Sequence, residues 1–331
     1  MKAMILAAGL GTRLRPLTLE IAKPAIPVLG KPLVVRLVEN LLGVGVTAFR
    51  LNLHHLPHTI ERMFASPPYV ELPVSFSYEP NILGTAGGLK ANESFFDTDV
   101  FLMANGDIIA DFPLHEAIAF HRSRKPAATM ILYPQSPPYR HTPIRIDQDF
   151  RIRDFKGRAS GGDLQPETYV FTGIHVLDPG IFSFIPAGVF HEINDQVYPL
   201  LMDAGHEILG FPVNGYWNDL GDPARYLEAT RDLLRFSGRD RYVSGEAEVR
   251  TGADAGGGAV IEAACVLEEG ARVRDSILWK RVTVKEGVHV SNCIVAADTV
   301  VTHNCAGKII TRNGAEAIGR VFGSPQSSGI M

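Results

Sequence analysis

The sequence is short of cysteine. Cys265, Cys293 and Cys305 are all there are in 331 residues. The number is odd and no Cys-x-x-Cys spacing occurs, so neither a disulfide framework nor a zinc ribbon is expected, and a reduced cytoplasmic protein is. Long apolar stretches are missing too. No run reaches 18 residues, which excludes an ordinary membrane-spanning helix. Positive charge is not in surplus: 32 Lys and Arg stand against 36 Asp and Glu, a net charge of −4, which speaks against a nucleic-acid binder. Two familiar phosphate loops are also absent. Leu14 stands where a dinucleotide fingerprint after Gly9 and Gly11 needs its third glycine, and Gly-Lys-Ser/Thr does not occur. What remains is 46% hydrophobic and 21% charged, enough for a sizeable core in a large domain with an appendage.

The first two thirds alternate between strand-like and helix-like segments. Lys2–Ala7 is an apolar run. It resembles a short signal sequence, but charged residues follow at once, and it reads as a first strand. Leu33–Leu42 and Leu114–Ser123 have helical periodicity, while Ala48–Leu53, Val100–Ala104 and Ala128–Tyr133 read as strands. Such alternation predicts a mostly parallel sheet with helices on both faces, whose ligands lie at the carboxyl ends of the strands. Gly9–Arg15 and Asn105-Gly106-Asp107 each follow an apolar run directly, so both fall on that rim. Residues 140–176 turn strand-rich and read as an insertion lidding it. A helix begins at Pro223, and the glycine-rich, charged stretch 237–258 reads as a linker.

Beyond it lies a repeat. Ile261, Leu267, Val273, Leu278, Val284, Val290, Val295 and Val301 recur at steps of five or six, giving a turn of 17 residues. That step fits neither a helix nor a flat strand. It fits a three-sided parallel β-helix with one inward residue per side, a small sandwich of short strands being the competing reading. The expected division is 1–236, a linker 237–258, a coil 259–306 and a tail 307–331. A coil this short needs something to pack on, its own chain or a second copy in a homo-oligomer.

Chemistry concentrates at the rim. Gly9 and Gly11 free the backbone to turn its N–H groups on an anion, and Arg13 adds a fixed charge suited to phosphate oxygens. Taken alone, the loop also admits the lesser reading of a tight strand–helix turn without ligand. Its surroundings resolve that. Gly9-Leu10-Gly11-Thr12-Arg13-Leu14-Arg15-Pro16-Leu17-Thr18, Ala22-Lys23-Pro24-Ala25-Ile26-Pro27-Val28 and Lys31-Pro32-Leu33 closely resemble the signature of the sugar-1-phosphate nucleotidyltransferases, the NDP-sugar pyrophosphorylases.

The resemblance covers residues 1 to about 235 and implies a site. Leu6, Ala7, Ala8, Gly9, Gly11, Thr12, Arg13 and Lys23 would hold a triphosphate, and Gly84 and Thr85 of Leu83-Gly84-Thr85-Ala86-Gly87-Gly88-Leu89 the base. Asp107, and Asp219 of Trp217-Asn218-Asp219-Leu220-Gly221-Asp222-Pro223, would bind Mg²⁺, while Asp222 caps the following helix. Glu167 and Gly173 match the acceptor strand, with Phe171 where many members carry Asn. Arg158 falls nearest the family's sugar-phosphate lysine, with Lys156 the alternative, and Asp219 borders the same sugar phosphate.

The fold this implies is α/β: a Rossmann-like mixed, mostly parallel sheet with helices on both faces, then a short left-handed parallel β-helix. The reaction implied is nucleotidyl transfer from a nucleoside triphosphate to a sugar 1-phosphate. The Gly-Thr-Ala-Gly form resembles guanylyltransferases acting on mannose 1-phosphate, which points to GTP. Uridylyl transfer and a non-catalytic nucleotide-sugar binder are the competing readings. Neither nucleic acid nor membrane is an expected partner. His54, His55 and His58 cluster without a carboxylate ligand and read as strand-end polar residues.

Overall fold

The computed structural model describes residues 1–96, 99–156, 158–159 and 163–318, the pair 158–159 by its backbone alone. By its contacts the chain forms two compact units. One comprises Met1–Gly11, Ile21–Ile26 and Pro32–Asp219. The other comprises Thr12–Glu20, Pro27–Lys31 and the chain from Leu220 onward.

The first unit is built on a seven-stranded sheet. Its strands are β1 (Lys2–Leu6), β2 (Ala48–Leu53), β3 (Val74–Tyr78), β4 (Phe101–Asn105), β5 (Ala128–Gln135), β6 (Thr168–Leu177) and β7 (Ile208–Pro212). They lie in the order β7-β5-β6-β4-β1-β2-β3. Only β6 runs antiparallel to its neighbours; the other pairings are parallel. Side chains alternate across a strand. In β1, Ala3 and Ile5 therefore enter one buried cluster and Met4 another. The first is completed by α1 (Leu33–Gly43), with Val34, Val38 and Leu41, by α2 (Pro57–Phe64), with Ile60 and Phe64, and by α4 (Leu114–Arg124), with Leu114 and Ile118. The second takes Ala86 and Leu89 from α3 (Gly84–Ala91), and Tyr198 and Leu201 from α5 (Tyr198–Asp203). A sheet apolar on both faces is thus covered on both faces, as its unbroken hydrophobic runs require.

The strand-rich insertion is a three-stranded antiparallel sheet of Arg145–Ile146, Ile152–Phe155 and Arg158–Ala159. Bridges from Ile144 to Tyr169 and from Arg151 to Leu209 stitch it to β6 and β7.

Two histidines are buried in this unit. His121 of α4 meets the Thr129 hydroxyl through Nδ1 at 2.9 Å, and His175 of β6 meets the Tyr198 hydroxyl at 2.5 Å. Loss of solvation pushes their pKa values down to about 4 and about 3. Both lie below the ordinary value of about 6.5, so protons bind the unfolded chain preferentially. The stability these rings contribute is complete above about pH 6.5 and is lost as pH falls toward 4. The expected result is a melting temperature that declines over that window, and less steeply in His121→Gln. Parallel profiles for the two proteins would acquit His121.

The second unit is a three-sided parallel β-helix with helix α6 (Pro223–Phe236) and the segments 12–20 and 27–31. All eight positions of the 17-residue repeat lie in one buried cluster. The linker expected at 237–258 is not a linker. Tyr242–Val243, Glu248–Val249 and Asp254–Ala255 form a complete first coil, paired in parallel with Val260–Ile261, Val266–Leu267 and Arg272–Arg274. Tyr242 lies opposite Val260, a step of 18, whereas Val260 lies opposite Ile277, a step of 17. That extra residue breaks the repeat. As an end coil its inward-side Val243 and Val249 stay partly exposed. Gly252, Gly270 and Gly287 stack at one corner with φ near +70°, which explains a glycine there in three successive coils. The expected tail begins with a hairpin, Lys308–Thr311 and Gly314–Ala317, that extends one side of the coil; residues 319–331 lie outside the described part.

This unit also grips short segments from the beginning of the chain. The Tyr226 hydroxyl of α6 donates to the Pro27 carbonyl and accepts from Trp279 Nε1 at 3.0 Å. Buried Glu262 accepts the Gly30 N–H at 2.8 Å. Pro16, Leu19 and Glu20 line a cavity of about 290 Å³ with Thr311, Asn313 and Glu316. Asp222 caps α6 as expected, accepting the Arg225 N–H at 2.9 Å.

Candidate active site

The rim begins where β1 ends. Leu6 lies opposite Asn52 on one side and Asn105 on the other. The Asn52 side chain accepts the Ala7 N–H at 2.9 Å, and the Leu6 carbonyl accepts the Gly106 N–H at 2.9 Å. A Cβ on Gly106 would stand 2.7 Å from that carbonyl, so the turn before Asp107 must carry glycine. Ala7 and Ala8 are buried, whereas Gly9 and Leu10 are exposed and Gly11 takes φ +61°. A Cβ on Gly9 would meet nothing within 4 Å. Open space over the loop is what a ligand lying across it needs. Thr12 and Arg13 are exposed in a short 3-10 turn that belongs to the second unit.

Lys23, Asp107 and Asp219 meet. Lys23 opens a 3-10 turn stiffened by Pro24 and is 8% exposed. Its Nζ lies 2.5 Å from Asp107 Oδ2 and 3.4 Å from the Asp219 carbonyl oxygen. The two acidic residues are 112 positions apart in sequence. A short antiparallel pair unites them: Tyr216–Asn218 runs against Ile109–Asp111, with Asn218 opposite Ile109. Asp107 precedes one strand of that pair and Asp219 follows the other. The Asp219 carboxylate also faces His141, Oδ2 to Nε2 at 3.9 Å, and His141 stands edge-on to Trp217 with ring centroids 5.4 Å apart.

The donor set suits a small hard cation. Mg²⁺ is held by one or two carboxylates together with substrate phosphates and water, not by an all-protein cage. Among the described residues no three His, Cys, Asp or Glu side chains form such a cage. Asp107 and Asp219 would be the protein's share of such a set, Asp107 being paired with the Lys23 ammonium at 2.5 Å.

The glycine-rich segment 83–89 starts α3 and packs against two carboxylates. Glu79, buried, accepts the Asn52 side-chain amide at 2.7 Å and the Leu83 N–H at 2.9 Å. A Cβ on Gly88 would come within 2.5 Å of that carboxylate. On the other side Glu192 accepts the Thr85 hydroxyl at 2.6 Å. Asn52 thus joins the end of β1 to the segment at the start of α3. His54 Nδ1 donates to the Glu79 carbonyl at 2.7 Å, the polar strand-end role expected of that cluster.

On the acceptor side, Gly173 has φ +91° and a Cβ there would lie 2.9 Å from the Asn105 side chain. Phe171 packs on His175, with centroids 4.3 Å apart, and Trp217 Nε1 donates to the Thr172 carbonyl at 2.9 Å. Glu167 is exposed, just before β6. Lys156 pairs with Asp195. Arg158 lies in a strand paired with Phe155, and its side chain lies outside the described part. Sequence reasoning missed Asn52, Glu79, His141 and Glu192. Asn52 gave one signal, an amide inside an apolar strand.

Comparison with known proteins follows this geometry. The nucleotidyl transferase family model matches residues 2–235. A UTP–glucose-1-phosphate uridylyltransferase of Synechocystis is 33% identical over 265 residues, 76% of this chain and 68% of that protein. A mannose-1-phosphate guanylyltransferase of Mycobacterium tuberculosis is 28% identical over 298 residues, 88% of this chain and 82% of that protein. Among solved structures, HddC from Yersinia pseudotuberculosis superposes with a TM-score of 0.59 at 24% identity, over 70% of this chain and 99% of that one, a likeness of fold.

Proposed function

Because the chain belongs to the nucleotidyl transferase family, and within it to the sugar-1-phosphate nucleotidyltransferases, we propose that it joins GTP and a mannose-1-phosphate-like sugar, releasing pyrophosphate. The observation that carries the chemistry is the Lys23 ammonium spanning the Asp107 carboxylate and the Asp219 carbonyl. An acceptor phosphate oxygen attacks the α-phosphorus, the bond to the β-phosphate oxygen breaks, and pyrophosphate leaves. The acceptor is already ionised, so no general base is needed, and the protein's work is alignment and charge balance. Lys23, nearly buried and held by a proline-stiffened turn, sets one positive charge at a fixed place. Backbone groups of Ala7–Gly11 line the phosphates, and Arg13 is assigned to them by the resemblance of the loop. Asp107 and Asp219 would hold Mg²⁺, which when bound neutralises phosphate charge. Glu167 and the Gly173 backbone are assigned to the sugar and Arg158 to its phosphate, by the resemblance of these segments to the family's acceptor side.

Guanine is favoured by reach: the guanylyltransferase relative matches 88% of the chain against 76% for the uridylyltransferase. Uridylyl transfer to glucose 1-phosphate is the second reading, supported by the higher identity of that relative. A panel of four nucleoside triphosphates crossed with common hexose 1-phosphates, read by pyrophosphate release, decides. GTP with mannose 1-phosphate is expected to be fastest. Preference for UTP and glucose 1-phosphate moves the assignment to the second reading, and no release from any pair rejects the reaction.

A further inference from the structure

Helix α3 begins without a cap of its own. Leu83 stands at its N-cap position and offers no side-chain acceptor, although the first N–H groups of any helix need partners from outside it. Here a distant strap supplies them. The His191 carbonyl accepts the N–H groups of Ala86 at 2.9 Å and Gly87 at 3.0 Å, and the His191 N–H donates to the Leu83 carbonyl at 2.8 Å. Glu192 Oε2 accepts both the Thr85 N–H at 3.3 Å and the Thr85 hydroxyl at 2.6 Å. The same hydroxyl accepts the Ile193 N–H at 2.8 Å. Backbone lies on backbone throughout: a Cβ on Gly84 would be 2.6 Å from the His191 carbonyl oxygen, and one on Gly87 2.5 Å from that of Val189.

The Thr85 hydroxyl donates to Glu192 and accepts from Ile193, and the N–H groups of Leu83, Thr85, Ala86 and Gly87 are bonded within the protein as well. The segment is thus only as well placed as the strap that holds it. The strap is itself ordered. Glu192 leads into a single π-turn, Ile193–Val197, and its N–H is held by the Gln196 side chain at 2.7 Å. Isolated π-turns recur where a chain must place a residue out of ordinary helical phase. A carboxylate at the start of α3 also has the favourable sign for the helix dipole.

We infer that Glu192 is a positioning residue for nucleotide recognition: through Thr85 it fixes the 83–87 segment, which the family resemblance assigns to the base, and so sets nucleotide affinity without touching the nucleotide. This rests on the nucleotidyl-transfer reading above. The test is steady-state kinetics of pyrophosphate release with each substrate varied in turn. Glu192→Ala is expected to raise KM for the nucleoside triphosphate about tenfold, the loss of a charge-assisted hydrogen bond, with kcat and the sugar-phosphate KM within about twofold of the parent. Glu192→Gln keeps an acceptor for the hydroxyl and restores the nucleotide KM to within about threefold. Thr85→Val, which loses the same hydroxyl–carboxylate bond, raises the same KM, Thr85→Ser does not, and the double variant falls short of the product of the two single effects, because that bond is common to both. A merely structural role would lower kcat and worsen both KM values together, unrescued by Gln. That result, or an unchanged nucleotide KM, overturns the inference. Should Glu192→Ala fail to fold, the Thr85 pair carries the same test. Should the parent protein release no pyrophosphate, the reaction reading falls by itself. Titration calorimetry with GTP and UTP then decides the inference: about tenfold weaker binding to Glu192→Ala supports it, and equal binding overturns it.

Discussion

Asp107→Ala is expected to lose kcat by about 10²–10³-fold while sugar-phosphate affinity stays near that of the parent. The carboxylate follows β4 and is held against the Lys23 ammonium at 2.5 Å, with side-chain exposures of 29% and 10%. Removing it would take away an oxygen ligand proposed for the divalent ion, and it leaves an ammonium nearly out of water without its anion. The second effect lowers stability as well, since breaking a desolvated pair costs more than the pair itself contributes. Asp107→Asn separates the two: it preserves shape and a hydrogen-bond acceptor but removes the charge, so it should fold like the parent and still turn over slowly. Pyrophosphate release measured against Mg²⁺ concentration checks this. Both variants should need more metal for half-maximal rate. Parent-like turnover in Asp107→Ala would remove the residue from the reaction.

Lys23→Met should cost a similar factor, about 10²–10³ in kcat, by a different route. Methionine keeps the apolar stem in its buried slot and deletes only the charge. Lys23→Arg is not expected to rescue, because a planar fork has no room at an 8% exposed site between Ala22 and Pro24. The contrast with Asp107 lies in the metal. Lys23 draws on the same carboxylate that the ion would use, so deleting it should tighten the apparent Mg²⁺ affinity while slowing the chemistry. Isothermal titration of Mg²⁺ with GTP bound reads this apart from turnover. Unchanged or weaker metal binding in Lys23→Met would mean that the ammonium and the ion do not share Asp107. The double variant Lys23→Met/Asp107→Ala should be no slower than the slower single one, as residues acting as one unit do not add.

The sequence was most informative where function forces a local pattern. Glycines, arginines and prolines of the 9–33 stretch lie together in the chain, as they would if consecutive backbone were to wrap a phosphate. Eight inward positions of the coil were readable because a solenoid repeats its geometry. Convergence of Asp107 and Asp219 followed from motif resemblance alone; what brings them together is the pairing of Ile109–Asp111 with Tyr216–Asn218, segments too short to leave a periodic signal. Asn52, Glu79 and Glu192 act on partners 45, 27 and 107 positions away, and single polar residues at such separations carry no spacing signature. Residues 237–258 misled for a compositional reason. Glycine and charge belong to linkers and equally to an end coil, whose sides face water, and one residue beyond the 17-step period hid the kinship.

The grip of α6 and the coil on residues 27–31 bears on how this protein could be dissected or inherited. A module joined by a single tether can be cut away, swapped or lost, leaving its neighbour intact. Here Tyr226 and Glu262 bind a turn that begins four residues after Lys23, and the hairpin at 308–317 flanks a stretch that ends three residues before it. Deleting the coil would unpick stitches on either side of Lys23 in the chain, so Trp279 and Glu262 bear on the segments that flank it.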